Sequence, residues 1–296
     1  MKKKIAAAVL ACLLLTGCGM DTMADSLADD IAGQLESLYG QNVTPEWQPT
    51  PETEPMPIQM PEPTKTAENS AIALSTAEDL EKLRTNPNGS FVLTQNITVD
   101  NLPPFREFNG TLDGQGYWIR VASLEMAADW SYALFYDLRS DAEVRNLNVE
   151  ISMTFPELEP LGFYGLACMN SGRIYNCTVA SKVKNMTYVY GLVGENNGSL
   201  SDCQVELDVE NCAVLSGLTN RNWEGADIES CTVTVKGKSV QRFSCAATQN
   251  YAKVSGCTFD AQLTPPAGEV LSWDTDGYGE SGDFDSSNTV NVREVD

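Results

Sequence analysis

The chain has 296 residues, of which 42% are apolar, enough for one elongated repeat domain with a packed core. Its formal charge is −22, a balance that repels nucleic acid and anionic lipid headgroups and favours cations or basic partners. It contains no histidine, which excludes acid–base catalysis and metal sites built on imidazole.

Residues 1–17 combine a basic start (Lys2, Lys3, Lys4), an apolar run from Ile5 to Leu15, and small residues before Cys18. The apolar run is too short to cross a bilayer and has the three-part form of a secretory signal. The ending Leu15-Thr16-Gly17-Cys18 resembles a bacterial lipobox. That resemblance implies cleavage before Cys18 and acylation of its thiol. The expected location is then the extracytoplasmic face of the cell membrane, with the lipid bilayer as the first partner. Two or three acyl chains, at about 0.8 kcal/mol per buried methylene, would hold the protein there.

In residues 18–43, Leu27, Ile31, Leu35 and Leu38 recur at helical spacing, with Asp25, Asp29, Asp30 and Glu36 on other faces. This short acidic helix lacks the lysines that helices lying on membranes use. Residues 44–69 carry seven of the 14 prolines, from Pro45 to Pro63. Such a segment predicts an extended, semi-rigid stalk rising about 3 Å per residue.

The globular part runs over residues 70–262. Ser75 and Glu78 match a capping box, and Ala77, Leu80 and Leu83 predict a short amphipathic helix to Arg84. Asn86-Pro87-Asn88-Gly89 is a turn signal, and Ser90–Thr94 and Asn96–Val99 read as strands. The run Gly110-Thr111-Leu112-Asp113-Gly114-Gln115-Gly116 looks like the opening coil of bacterial right-handed β-helices, which makes the preceding helix a cap on the open end of the core.

From Tyr164 the chain repeats itself. YGLACMNSGRIYNCTV is followed by YGLVGENNGSLSDCQV from Tyr190, SGLTNRNWEGADIESCTV from Ser216 and SCAATQNYAKVSGCTF from Ser244. The turn asparagines are Asn170, Asn196, Asn222 and Asn250, and the cysteines after the turn are Cys177, Cys203, Cys231 and Cys257. Period-two alternation, short strands and Gly/Asn turns describe coils of a parallel β-helix, so equivalent residues should stack about 4.8 Å apart in ladders. The fold class is therefore all-β, a right-handed parallel β-helix with a short N-terminal capping helix. Gly191-Leu192-Val193-Gly194, with Asn196, Gly198, Leu200 and Cys203, resembles the GLUG motif found in bacterial surface adhesins. The motif implies architecture and leaves chemistry open, because its residues form turns or fill the core.

With the leader removed and Cys18 acylated, seven cysteines remain, from Cys168 to Cys257. Export invites disulfides, but parallel in-register side chains suit packing better than a disulfide dihedral, and no CxxC pair supports zinc. Buried reduced thiols are the expectation.

The third copy carries two extra residues within Asn222-Trp223-Glu224-Gly225-Ala226. Trp223 and Tyr251 each follow a turn asparagine, so they should lie on adjacent coils at one corner, with Arg221, Glu224 and Gln249 beside them. Such a pair either offers a flat platform to a sugar ring or peptide, or folds back to cover a coil edge. Glu195, Asp202, Glu206, Asp208 and Glu229 do not recur at equivalent positions in adjacent coils, and neither a nucleophile motif nor a phosphate loop is present. A catalytic role therefore has little support, Asp113 reading as a turn former.

Residues 263–296 read as an acidic, solvated tail. Ser272 to Asp283 loosely follow an EF-hand loop, with Asp274, Asp276, Glu280 and Asp283 as oxygen ligands for calcium, but the first position is Ser272 and no helices flank it. No other cofactor is expected. Three functions remain in play: a lipid-anchored surface module that binds glycan or protein, an envelope spacer, and a carbohydrate-active enzyme.

Overall fold

The computed structural model describes residues 71–127, 131–275, 277 and 282–295. The signal peptide, Cys18, the acidic helix and the proline stalk lie outside the described residues.

The chain winds as a parallel β-solenoid with three faces. One face is a 9-stranded sheet, the second a 10-stranded sheet and the third a 6-stranded sheet. All the strand-to-strand pairings of these three sheets are parallel, and the registers of the four copies follow the repeat residue by residue. Ile174, Leu200, Ile228 and Val254 stack in one row, the two extra residues of the third copy being absorbed in the turn before Ile228. Alternate side chains point inward, so Val179, Val205, Val233 and Phe259 are all buried.

The corners explain the residues between the strands. Asn146, Asn176, Asp202, Ser230 and Gly256 all have φ between 51° and 64°, the left-handed region that Asn, Asp and Gly enter most readily. In each later coil the next residue is a cysteine whose Sγ donates to the carbonyl oxygen two residues back, at 3.4 Å in Cys177 and 3.2 Å in Cys203. The thiol thus closes the left-handed corner from inside. All seven cysteines from Cys168 to Cys257 are buried and free, as the packing reading expects.

A second ladder closes the other corner. The Nδ2 of Asn170 donates to Asn196 Oδ1, Asn196 to Asn222 and Asn222 to Asn250, each at 2.9 Å, with all four residues inaccessible to solvent. Each buried bond of this kind contributes about 1 kcal/mol net. The glycines before the ladder allow close stacking: a Cβ on Gly165 or Gly191 would lie 2.1 Å from the carbonyl oxygen of the glycine one coil on.

At the start, Glu81–Thr85 forms a single helical turn preceded by a tighter turn at Glu78–Leu80. Leu80 and Leu83 are fully buried in the main core, so the segment caps the first coil as expected. The cap itself is shifted by one residue. Thr76 and Asp79 exchange reciprocal bonds, Asp79 N–H to Thr76 Oγ1 at 3.2 Å and Thr76 N–H to Asp79 Oδ2 at 3.0 Å. Ser75 also donates to Asp79 rather than pairing with Glu78. The tight first turn places the carboxylate of Asp79, instead of Glu78, over the open amides.

The chain after residue 262 is no solvated tail. Ser272–Asp274 pairs with Arg242–Ser244, Asp283–Phe284 with Lys253–Val254, and Thr289–Glu294 with Thr258–Leu263. Phe284, Val290 and Val292 pack on the core. The alternation Thr289-Val290-Asn291-Val292 carries this coil, and the surrounding acidic residues mask it in composition.

Candidate functional site

The residue after the turn asparagine sits at the outer rim of the 6-stranded sheet. In successive coils that position holds Ser171, Asn197, Trp223 and Tyr251, whose backbone N–H groups each bond to the carbonyl of the preceding coil. Only the last two are aromatic. Their rings stack with centroids 5.6 Å apart and planes 15° from parallel, each ring half-buried. The coil spacing of about 4.8 Å sets this distance directly.

The two rings lie on adjacent coils at one corner and stack on each other. Each ring spends one face on the other, so the rim presents ring edges and the remaining faces instead of a continuous plane.

Two residues back in each strand, Glu195, Arg221 and Gln249 stand in register. Arg221 Nε donates to Gln249 Oε1 at 2.7 Å and Nη1 to Glu195 Oε1 at 3.2 Å. The indole Nε1–H of Trp223 donates to Glu195 Oε2 at 3.3 Å. The Arg221 guanidinium also lies 5.6 Å from the Trp223 ring centroid. Glu195 therefore holds both the indole and the arginine. It was absent from the expected site, although its register with Arg221 and Gln249 could have been counted from the repeat.

Glu224 lies apart from this network. Trp223 to Ala226 form a turn closed by Ala226 N–H to Trp223 O at 3.0 Å, with Gly225 at φ +84°. That turn accommodates the two extra residues and leaves Glu224 exposed, with no ion pair among the described residues.

The calcium candidates are dispersed in role. Asp274 Oδ2 accepts from Arg242 Nη2 at 3.0 Å and its Oδ1 from Gly277 N–H at 2.8 Å. Asp283 opens a strand beside Lys253. Asp276 and Glu280 lie outside the described residues. Among the described residues, no group of three carboxylates or thiols is arranged to hold a metal.

A charged cluster that sequence reading did not assemble covers the 9-stranded sheet near its start. Arg145 pairs with Asp113 at 3.0 Å and with Glu143, Arg173 also pairs with Glu143, and Tyr175 Oη donates to Glu143 Oε1 at 2.9 Å. Asp113 keeps its turn role as well, accepting the Gln115 N–H at 2.9 Å. Burial pushes the Tyr175 hydroxyl above its ordinary value. The two carboxylates are separated by a guanidinium and are saturated by neighbours.

Elsewhere on the repeat, the half-buried Tyr164 and the buried Tyr190 stack at 5.3 Å, and desolvation raises both hydroxyls. Their register partners are Ser216 and Ser244. At Trp223–Tyr251, in contrast, both rings of the stack are partly exposed.

In comparison with known proteins, no protein family, no curated protein and no solved structure matches this chain. The fold and the rim define it as a parallel β-solenoid with a polar-bounded aromatic edge.

Proposed function

We propose that the protein is a lipid-anchored bacterial surface module whose solenoid binds a glycan through the rim at Trp223 and Tyr251. The observation that carries this reading is the rim itself. Two half-exposed aromatic rings stack on each other, the indole is held by Glu195, and Arg221 and Gln249 supply polar groups beside them. Rings fixed before binding lose little conformational freedom when a ligand arrives, and they combine apolar area with polar neighbours. The solenoid supplies a rigid support, and the lipobox-like start and proline-rich segment would anchor it and hold it clear of the membrane.

A glycan array and whole-cell binding with wild type and Trp223→Ala test the rim. Trp223 lies outside the buried core, so the expected result is lost binding with a melting temperature within a few degrees of wild type. Binding that survives the substitution removes the rim as the site. Anchoring is tested separately by metabolic labelling with a palmitate analogue: wild type should incorporate label and fractionate with membranes, and Cys18→Ala should do neither.

A further inference from the structure

We infer that the protein carries a separate ligand site, a cavity between its early coils that takes a small neutral sugar and owes nothing to the Trp223 rim. The cavity lies where the repeat is interrupted. The long strand of each of the three later coils has 13 residues, whereas Asn148–Tyr164 has 17, with register shifts between Thr154 and Gly162. The next coil braces this bulge at two points. Asn185 Nδ2 donates to the Phe155 carbonyl at 2.6 Å, and Thr187 Oγ1 to the Glu159 carbonyl at 2.7 Å. On the other side, the ladder with Trp118–Val121 ends at Ile151, and the Leu124 N–H meets Met153 Sδ at 3.4 Å instead of a carbonyl. Where the two strands part, an open cavity of about 400 Å³ remains. Small-molecule sites span about 300–1,000 Å³.

The lining combines two chemistries. Tyr132 and Phe155 form an aromatic wall, their rings 5.7 Å apart and tilted by 54°, and the buried Leu124 and Met153 extend the apolar part. Ser123, Ser152 and Thr154 join Tyr132 in bringing hydroxyl side chains to the same space. None of these four hydroxyls has a hydrogen-bond partner among the described residues. Burial pushes the Tyr132 hydroxyl above its ordinary value of 10.0, so it stays protonated and can both donate and accept. Among the described residues, the lining holds no charged side chain. The flanking charges are of both signs: Lys182 and Lys184 stand in register with Ser152 and Thr154 one coil on, and Glu159 is near Tyr132.

This set of groups selects among ligands. An apolar molecule would displace water from the hydroxyls without replacing its bonds. An ionic one would find no counter-charge in the lining. A neutral sugar sets its C–H face against the aromatic wall and its own hydroxyls against the four unpartnered ones.

Saturation-transfer NMR on the full chain, with the methyl glycosides of glucose, galactose and mannose as probes, tests this. At least one of the three should receive saturation, and Ala122→Trp, which fills the cavity from an exposed position, should abolish the transfer. Tyr132→Phe and Thr154→Val keep the shape of the lining and remove one hydroxyl each. Each should weaken binding about fivefold, the loss typical of one hydrogen bond, and they keep the test decisive if Ala122→Trp fails to fold. Trp223→Ala, on the 6-stranded sheet, should leave the signal unchanged. No transfer from any of the three sugars overturns the inference, as does unchanged affinity in both hydroxyl variants. Stronger transfer to methyl glucuronide or to glucosamine than to the neutral sugars overturns it too. A signal lost in Trp223→Ala and kept in Ala122→Trp belongs to the rim and likewise overturns the cavity. Array binding that depends on Trp223 is read independently, so rim and cavity fail separately.

Discussion

Asn196 donates its side-chain amide to Asn222 at 2.9 Å in a position without solvent access, while its own Oδ1 accepts from Asn170 and from the Gly198 N–H. One side chain therefore satisfies groups in three coils. Replacing it by alanine strands the Asn170 amide and the Asn222 carbonyl in a dry interior and removes the acceptor of the Gly198 N–H. Asn196→Ala should cost about 3 kcal/mol, measured by denaturant unfolding.

The ladder also has a direction. Asn196→Asp would turn a donor into an acceptor facing the Asn222 oxygen. Asn250 is the last rung, and its Nδ2 has no partner among the described residues. Asn250→Asp loses no hydrogen bond there, so it should destabilise less than Asn196→Asp at neutral pH. Equal losses would contradict the directional ladder.

Gly191 and Gly225 separate two uses of glycine. At Gly191 a Cβ would lie 2.1 Å from the Gly217 carbonyl oxygen, so Gly191→Ala must push two coils apart. At Gly225 nothing lies within 4 Å, and only the φ of +84° resists a side chain. Gly225→Ala should cost about 1 kcal/mol, and Gly191→Ala about 3 kcal/mol or more, with visible loss of soluble protein.

The buried thiols predict alkaline sensitivity. Burial pushes Cys168 up to about 11 and Cys212 up to about 12, from an ordinary value of 9.0. Above pH 9 the unfolded chain releases these protons while the folded chain keeps them. Their stabilisation is therefore intact below pH 9 and is lost as pH rises from 9 towards 12. Iodoacetamide at pH 8 should leave the native thiols unmodified. Denaturation without reductant should expose all seven from Cys168 to Cys257, and fewer than four would mean disulfides in place of the ladder.

The opposite sign holds at the N-terminal cap. The Lys82 ammonium and the Ser75 and Thr76 donors hold the Asp79 carboxyl below its ordinary value of 3.8. As pH falls below 3.8, the unfolded carboxyl takes up a proton before the folded one does. The stabilisation from Asp79 is thus present above that pH and lost beneath it. Asp79→Asn should melt below wild type at pH 7, and the gap should narrow in acid.

The repeat alone determined that this chain is a parallel solenoid, because period-two alternation and turn residues at fixed intervals admit few other arrangements. It placed Asn196, Cys203 and Gly191 in ladders, and it set Trp223 beside Tyr251. The sequence misread what depends on local geometry. Ser75 and Glu78 fit a cap by spacing, yet the tight turn at Glu78–Leu80 gave the role to Thr76 and Asp79. Composition hid the last coil, since Phe284, Val290 and Val292 are few among acidic residues and only pairing with Thr258–Leu263 buries them. At the rim, spacing brought the two rings to one corner, but spacing carries no information about side-chain torsions. Only the packed structure decided that the rings face each other and that Glu195, one coil back, holds the indole, because both follow from how side chains fill the space between coils.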